Sequence, residues 1–233
     1  MIDGQAFLLA LVGGILPALL WLWFWLREDR RCPEPKGLIA LAFLAGMLAV
    51  PLVIFPEKLV ELFFAETMVI ILWAAIEEVG KVAVALGFLR SRAMNEPIDA
   101  VIYMITVALG FAALENALFI LDPLTGGFFT ETLLTGNFRF IGATLLHTLS
   151  SATIGIMIAL SFYYKESLRR TYTLVGIILA IALHALFNFF ILKSNGASIL
   201  SIFLVVWIGI IIVILVMEHI KRMQSPRSLV HPQ

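Results

Sequence analysis

Seven stretches of this chain, at residues 6–26, 37–55, 67–89, 98–121, 138–163, 172–192 and 198–217, are apolar over about the 20 residues that a helix needs to cross a hydrocarbon core. Backbone groups in lipid must bond within their own segment, so runs of this length are helices, far too long for barrel strands. The expected fold is an all-α membrane protein, a bundle of about seven transmembrane helices. Only 14% of the 233 residues are charged and 61% are hydrophobic; soluble domains average about 25% charged. The net charge is zero and the basic residues sit in short loops, which leaves no footprint for nucleic acid.

One bundle over 1–217 accounts for nearly the whole chain, with 218–233 as a short cytoplasmic tail. The first residues lack the basic stretch of a signal peptide, and 6–26 reads as a retained span. Pro17 and Pro51 fall inside spans, where they are expected to kink the helix rather than end it. Cys32 is the sole cysteine, so no intramolecular disulfide or cysteine-based metal motif exists. Trp21, Trp23 and Trp25 read as an interfacial belt near an inner helix end.

Basic residues set the expected orientation. Loops after the first, third and fifth spans, together with the tail, hold twelve of the sixteen Lys and Arg; the other side has only Lys58, Arg139 and Lys193. The N-terminus is therefore expected outside and the C-terminus in the cytoplasm, in a multi-pass protein of the cell membrane.

Within this apolar chain, four consecutive spans carry polar groups: Glu77, Glu78 and Lys81, then Glu115 and Asn116, then His147, then His184 and Asn188. An ionisable group near the bilayer centre costs roughly 2.5–3.5 kcal/mol even on lenient scales, so such a concentration points to one polar site inside the bundle. Counting a rise of about 1.5 Å per residue from the expected outer boundary, Glu77, Glu78, His147 and His184 fall at similar depths in the outer half of the bilayer. Glu115, Asn116 and Asn188 fall somewhat shallower. The site is expected to be reached by water from the extracytoplasmic side.

Each residue type suggests chemistry. Glu77 and Lys81 share a helix face, and Glu78 can also meet Lys81. Adjacent carboxylates in a low dielectric repel unless a cation or metal intervenes, and a carboxylate so placed is suited to take a proton from water. Glu78 with Lys81 reads equally as an ion pair that fixes helix packing. Glu115 reads as a metal ligand, as a partner of Glu77, or as an interfacial carboxylate. Asn116 reads as an interhelical hydrogen-bonding group. Neutral imidazole is a common metal ligand and acid–base group, which makes His147 and His184 the stronger pointers. Asn188, one turn after His184, can donate to an oxyanion. Ser150 and Ser151 follow His147 on its face, but hydroxyls in such helices commonly bond their own backbone. His219 and His231 lie towards the tail and read as solvated.

The segments Glu77-Glu78-Val79-Gly80-Lys81, Phe111-Ala112-Ala113-Leu114-Glu115-Asn116, His147 and His184-Ala185-Leu186-Phe187-Asn188 resemble the PrsW family of intramembrane proteases. That family belongs with the CAAX prenyl endopeptidases and bacteriocin-processing enzymes. The resemblance covers a catalytic core at 67–192. CAAX relatives show Glu-Glu-x-x-x-Arg, Phe-x-x-x-His and a final His-x-x-x-Asn; here Lys81 replaces the arginine one position early and Glu115 takes the histidine slot. The resemblance implies site-1 cleavage of a single-pass membrane protein, an anti-sigma factor, on its extracytoplasmic side.

The residues and the resemblance together lead to a peptidase. Glu77, assisted by Glu78, activates water; His147 and His184 position that water directly or through a metal, with Glu115 as a further ligand; Asn188 stabilises the oxyanion; Lys81 and Asn116 support the others. Histidine and carboxylate ligands with an open water position suit Zn2+, and a metal-free, glutamate-dependent route stays open. The alternative is a proton- or ion-coupled transporter, for which buried carboxylates and histidines are equally typical.

Overall fold

The computed structural model describes residues 4–29, 32–126, 142–193 and 199–223. Among them are seven helices: α1 (Gly4–Leu26), α2 (Lys36–Phe63), α3 (Glu66–Leu89), α4 (Pro97–Thr125), α5 (Thr144–Leu160), α6 (Glu166–Lys193) and α7 (Ile199–Ile220). No strand occurs among the described residues. Five helices (α1, α2, α4, α6 and α7) are long and apolar enough to cross a membrane. Of the other two expected spans, α3 is 24 residues long but holds Glu77, Glu78 and Lys81 on its buried side. Helix α5 has 17 residues and ends at Leu160, before the expected end at 163; 138–141 of the expected span lie outside the described residues.

Helices α2 and α6 extend furthest beyond their expected bounds. Helix α2 continues through Pro56 to Phe63, where the sequence reading stopped at 55 because Pro56, Glu57, Lys58 and Glu61 end the apolar run. Apolar content marks where lipid ends, whereas helical hydrogen bonding continues past it. Helix α6 begins at Glu166 rather than 172, its first turns supported by an exposed Glu166–Arg170 ion pair at 3.0 Å.

Helix α4 is the centre of the bundle, packed by α1, α2, α3, α5 and α7. Every residue from 97 to 113 is buried, as expected of a helix that is apolar around its full circumference. Lipid offers no hydrophobic driving force between helices, so small residues that let backbones approach closely are the natural contacts. Gly46 on α2 and Gly110 on α4 supply this reciprocally. A Cβ on Gly46 would collide with the Val107 carbonyl, and one on Gly110 with the Phe43 carbonyl.

The tryptophan belt does not form as expected. Trp23 is exposed, but Trp25 is 1% exposed and sits in the core, and Trp21 packs on Phe24 and on Trp207 of α7. The three are spaced by two residues, so a helix of 3.6 residues per turn turns them to different sides.

The first connection is tied to α4 through buried carboxylates. Asp99 caps the helix, its Oδ2 accepting from the Glu96 and Asn95 backbone N–H groups at 2.7 and 2.8 Å. Tyr103 donates its hydroxyl to Glu34, and the Glu34 N–H donates to Asp29 at 3.3 Å. Burial, with the Asp99 charge adding to it, raises Asp29 to about 6. Burial also raises Glu34, to about 7, against the lowering effect of the Tyr103 hydrogen bond. Lys221, just past α7, reaches back to Glu28 at 2.6 Å.

Candidate active site

Glu77 and Glu78 occupy the middle of α3, on the side buried against α4, α5 and α6. Consecutive residues on a helix are about 100° apart, so the two carboxylates face different surroundings. Glu78 is fully buried and fully engaged. Its Oε1 accepts from Lys81 Nζ at 2.7 Å, from Ser150 Oγ at 3.0 Å and from His184 Nδ1 at 2.8 Å. Ser151 Oγ lies 3.5 Å from its Oε2. Ser150 also bonds its own backbone, at the His147 carbonyl. In the sequence these serines read as hydroxyls that bond their own backbone; the structure also places them at Glu78. They lie three and four residues after His147, on the same face, which was the available signal.

Glu77 is the opposite case. Its Oε2 is buried and makes no hydrogen bond among the described residues. It faces His147 Nδ1 at 3.8 Å, His184 Nε2 at 3.9 Å and Lys81 Nζ at 3.6 Å.

The histidines complete the arrangement. With Nδ1 donating to Glu78, His184 turns its Nε2 towards Glu77. Lys81 lies 2.8 Å from His147 Nδ1; an ammonium only donates, so His147 carries its proton on Nε2, which donates to Glu115 at 2.8 Å. The two imidazoles meet edge to face, with centroids 5.1 Å apart. Phe111, noted in the sequence only as part of a motif, forms the floor: its ring lies 4.6 Å from Lys81 Nζ and 5.5 Å from the His147 ring.

Part of this arrangement borders a cavity of about 360 Å3. Glu77, Glu115, His147, His184 and Asn188 line it, whereas Glu78, Lys81 and Asn116 do not. Asn116 is 3% exposed and donates to Thr144 Oγ1 at 2.9 Å, linking α4 to α5. The eight polar groups therefore converge from four helices, five at the cavity wall and three behind it. Trp73 also lines the cavity and donates to the Glu57 carbonyl at 3.3 Å. Glu57 was missed because it fell beyond the expected end of its span; its carboxylate lies within electrostatic reach of Glu77 and Glu115.

The donor set fits a metal ion. One ligand atom each from Glu77, His147 and His184 lies within 4.8 Å of the others, and tetrahedral zinc with bonds of about 2.0–2.2 Å holds its ligands somewhat closer than that. The unpartnered Glu77 oxygen supplies the donor that hydrogen bonding leaves over. The Glu78–His184 pair has the form of a carboxylate orienting a ligating imidazole. Glu115 meets His147 from the far side. Lys81 competes for the His147 Nδ1 lone pair.

The model of the PrsW family intramembrane metalloproteases matches residues 34–217. The chain belongs to the PrsW family. It is similar to the protease PrsW of Clostridioides difficile, 28% identical over 188 residues, covering 76% of this chain and 77% of that one. The PrsW protease of Halalkalibacterium halodurans is 25% identical over 189 residues, covering 76% and 81%. That of Geobacillus kaustophilus is 23% identical over 234 residues, covering 94% and 93%. No solved structure matches. As a PrsW protein this is a multi-pass intramembrane protease that acts on a membrane-embedded substrate within the bilayer. The transporter alternative finds no support in these comparisons.

Proposed function

We propose that the cluster of Glu77, His147 and His184 is the hydrolytic centre of this protease, with Glu77 as the general base. The observation that carries this is the buried Glu77 Oε2, which faces both imidazoles without a hydrogen bond of its own, on a side chain that lines the cavity. Such an oxygen accepts a proton from a water placed in the cavity, where a carboxylate engaged like Glu78 has no accessible lone pair. Glu78 holds His184 in one tautomer and so directs Nε2 at that water. His147, its Nε2–H on Glu115, closes the opposite wall. Asn188, on the His184 face of α6 and lining the cavity, is placed to donate to the oxyanion that develops on the scissile carbonyl. After attack, the proton held by Glu77 passes to the leaving amine.

With Zn2+ bound, Glu77 Oε2 would serve as a ligand beside His147 and His184 in place of acting as the base, and the ion would supply Lewis-acid polarisation of the carbonyl and a more acidic water.

The substrate proposed is a single-pass membrane protein cut near its extracytoplasmic side, with site-1 cleavage of an anti-sigma factor as the specific case. The excess of basic residues in the loops on one side supports an N-out orientation, and the resemblance of the motifs to PrsW proteins supports the substrate class. Purified Glu77→Gln and His184→Ala variants are expected to lose cleavage of a membrane-anchored anti-sigma factor in vesicles while still melting cooperatively. Cleavage that persists in either variant would remove that residue from the mechanism.

A further inference from the structure

Helix α7 is anchored to α5 rather than to α6. A Cβ on Gly209 would meet the Leu149 side chain, and the Phe203 ring lies where a Cβ on Gly142 would be. Against α6, the described ring contact is the stack of Phe203 on Phe187, with centroids 6.4 Å apart and planes 8° apart. By contrast, α6 packs closely on α5 and α3. The seam between α6 and α7 is therefore loosely packed beside the seams that α6 makes with α5 and α3.

A cavity of about 440 Å3 opens along this seam, lined by residues that include Leu149, Leu183, Leu186, Phe190 and Val205. Its lining holds no ionisable group, and Ser201 supplies its one side-chain hydroxyl among the described residues. Leu186, Phe190 and Val205 are 54%, 52% and 68% exposed, so the cavity faces the lipid. Leu146 and Phe187 line both this cavity and the one containing Glu77. The two spaces share a wall, and Phe203, which lines the cavity containing Glu77, stacks on Phe187 at that wall.

We infer that this cavity takes large apolar side chains of the substrate's transmembrane segment, which enters sideways between α6 and α7 and passes the Phe187–Phe203 stack to bring its scissile bond to Glu77. The inference rests on the hydrolytic centre proposed above. Continuity with that centre selects the occupant: a lipid chain matches the apolar lining but carries no amide to present at the polar wall. A space of this size admits a few side chains and not a whole helix. The uncharged lining further specifies large aliphatic or aromatic residues, and no charge, at the substrate positions it receives.

The full chain would be reconstituted in phosphatidylethanolamine–phosphatidylglycerol vesicles with a synthetic leucine-rich single-span peptide carrying a fluorophore and quencher. A benzophenone amino acid is placed at Leu186 or Val205 in the Glu77→Gln background, and at Leu52 on the lipid face of α2 as a control. Peptide adducts are expected at 186 and 205 well above those at 52. Val205→Trp is expected to raise KM about tenfold with kcat retained, the signature of lost uniform binding, while Leu52→Trp leaves KM near wild type. Equal adducts at 52, lipid-only adducts, adducts between two copies of the chain, or an unchanged KM in Val205→Trp would each overturn the entry route. Cleavage by the wild type without adducts at 186 and 205 discards the route and keeps the hydrolytic centre. Adducts there without cleavage by the wild type keep the route and discard the centre.

Discussion

Nδ1 of His184 lies 2.8 Å from Oε1 of Glu78, a contact that spans 106 positions of sequence and joins α3 to α6 through the middle of the bundle. Because that carboxylate also receives Lys81 and Ser150, its removal would leave an ammonium buried without its shortest partner.

Glu78→Ala is accordingly expected to lower stability by about 3–5 kcal/mol, the usual cost of breaking a buried pair from one side. The double change Glu78→Leu with Lys81→Met removes both charges and should recover most of that stability, yet leave cleavage abolished because His184 loses its orienting partner. Thermal melts in detergent alongside a cleavage assay test this. Recovery of both properties in the double variant would show that Glu78 acts only through the ion pair.

Metal content offers an independent reading of the centre. One divalent ion per chain is expected in protein purified without chelator, falling in Glu77→Gln and in His184→Ala. Lys81 competes for His147 Nδ1, so Lys81→Met should hold the ion more tightly against a chelator than wild type does. Elemental analysis across a chelator titration reports this without reference to activity. Equal retention in wild type and Lys81→Met would remove Lys81 as a competitor.

The two asparagines should separate cleanly. Asn116 bridges α4 and α5, so Asn116→Ala is expected to cost about 1 kcal/mol of stability, the scale of an interhelical hydrogen bond in a membrane, with kcat within a few-fold of wild type. Asn188 lines the cavity, and Asn188→Ala should lower kcat about 10²–10³-fold, as for loss of an oxyanion donor, with an unchanged melting temperature.

The carboxylates of the first connection give a pH dependence. Asp29 at about 6 and Glu34 at about 7 sit above their ordinary values of 3.8 and 4.5, so the folded chain binds these protons more tightly than the unfolded one. Their contribution is present in full below the ordinary values and is lost as pH rises through about 6 to 7. Lys221, which lowers Asp29, limits the effect there. The melting temperature should fall between pH 5 and pH 8 by about 2–4 °C more in wild type than in Asp29→Asn with Glu34→Gln, on the scale of 1 kcal/mol for a chain of this size. Parallel pH profiles would rule the cluster out as the cause.

The sequence by itself determined a great deal. Apolar runs of spanning length leave a chain in lipid no alternative to helices. The high cost of polar groups there made Glu77, His147 and His184 conspicuous, and four motifs in order carried the resemblance to PrsW proteases. Helix ends at Phe63 and Glu166 were less legible, since apolar content does not report where hydrogen bonding stops. The burial of Trp25 was also hidden, since it depends on which neighbour covers that side.

Tertiary structure alone decided how the polar groups divide. Glu77 and Glu78 are the same residue type at neighbouring positions, and nothing local distinguishes them. Roughly 100° of helical rotation places Glu78 against Lys81, Ser150 and His184, and leaves Glu77 at the cavity wall with an oxygen facing two imidazoles. Which partners meet each carboxylate depends on how α4, α5 and α6 pack around α3, and close approaches such as Gly46 to Val107 and Phe43 to Gly110 set the centre of that packing.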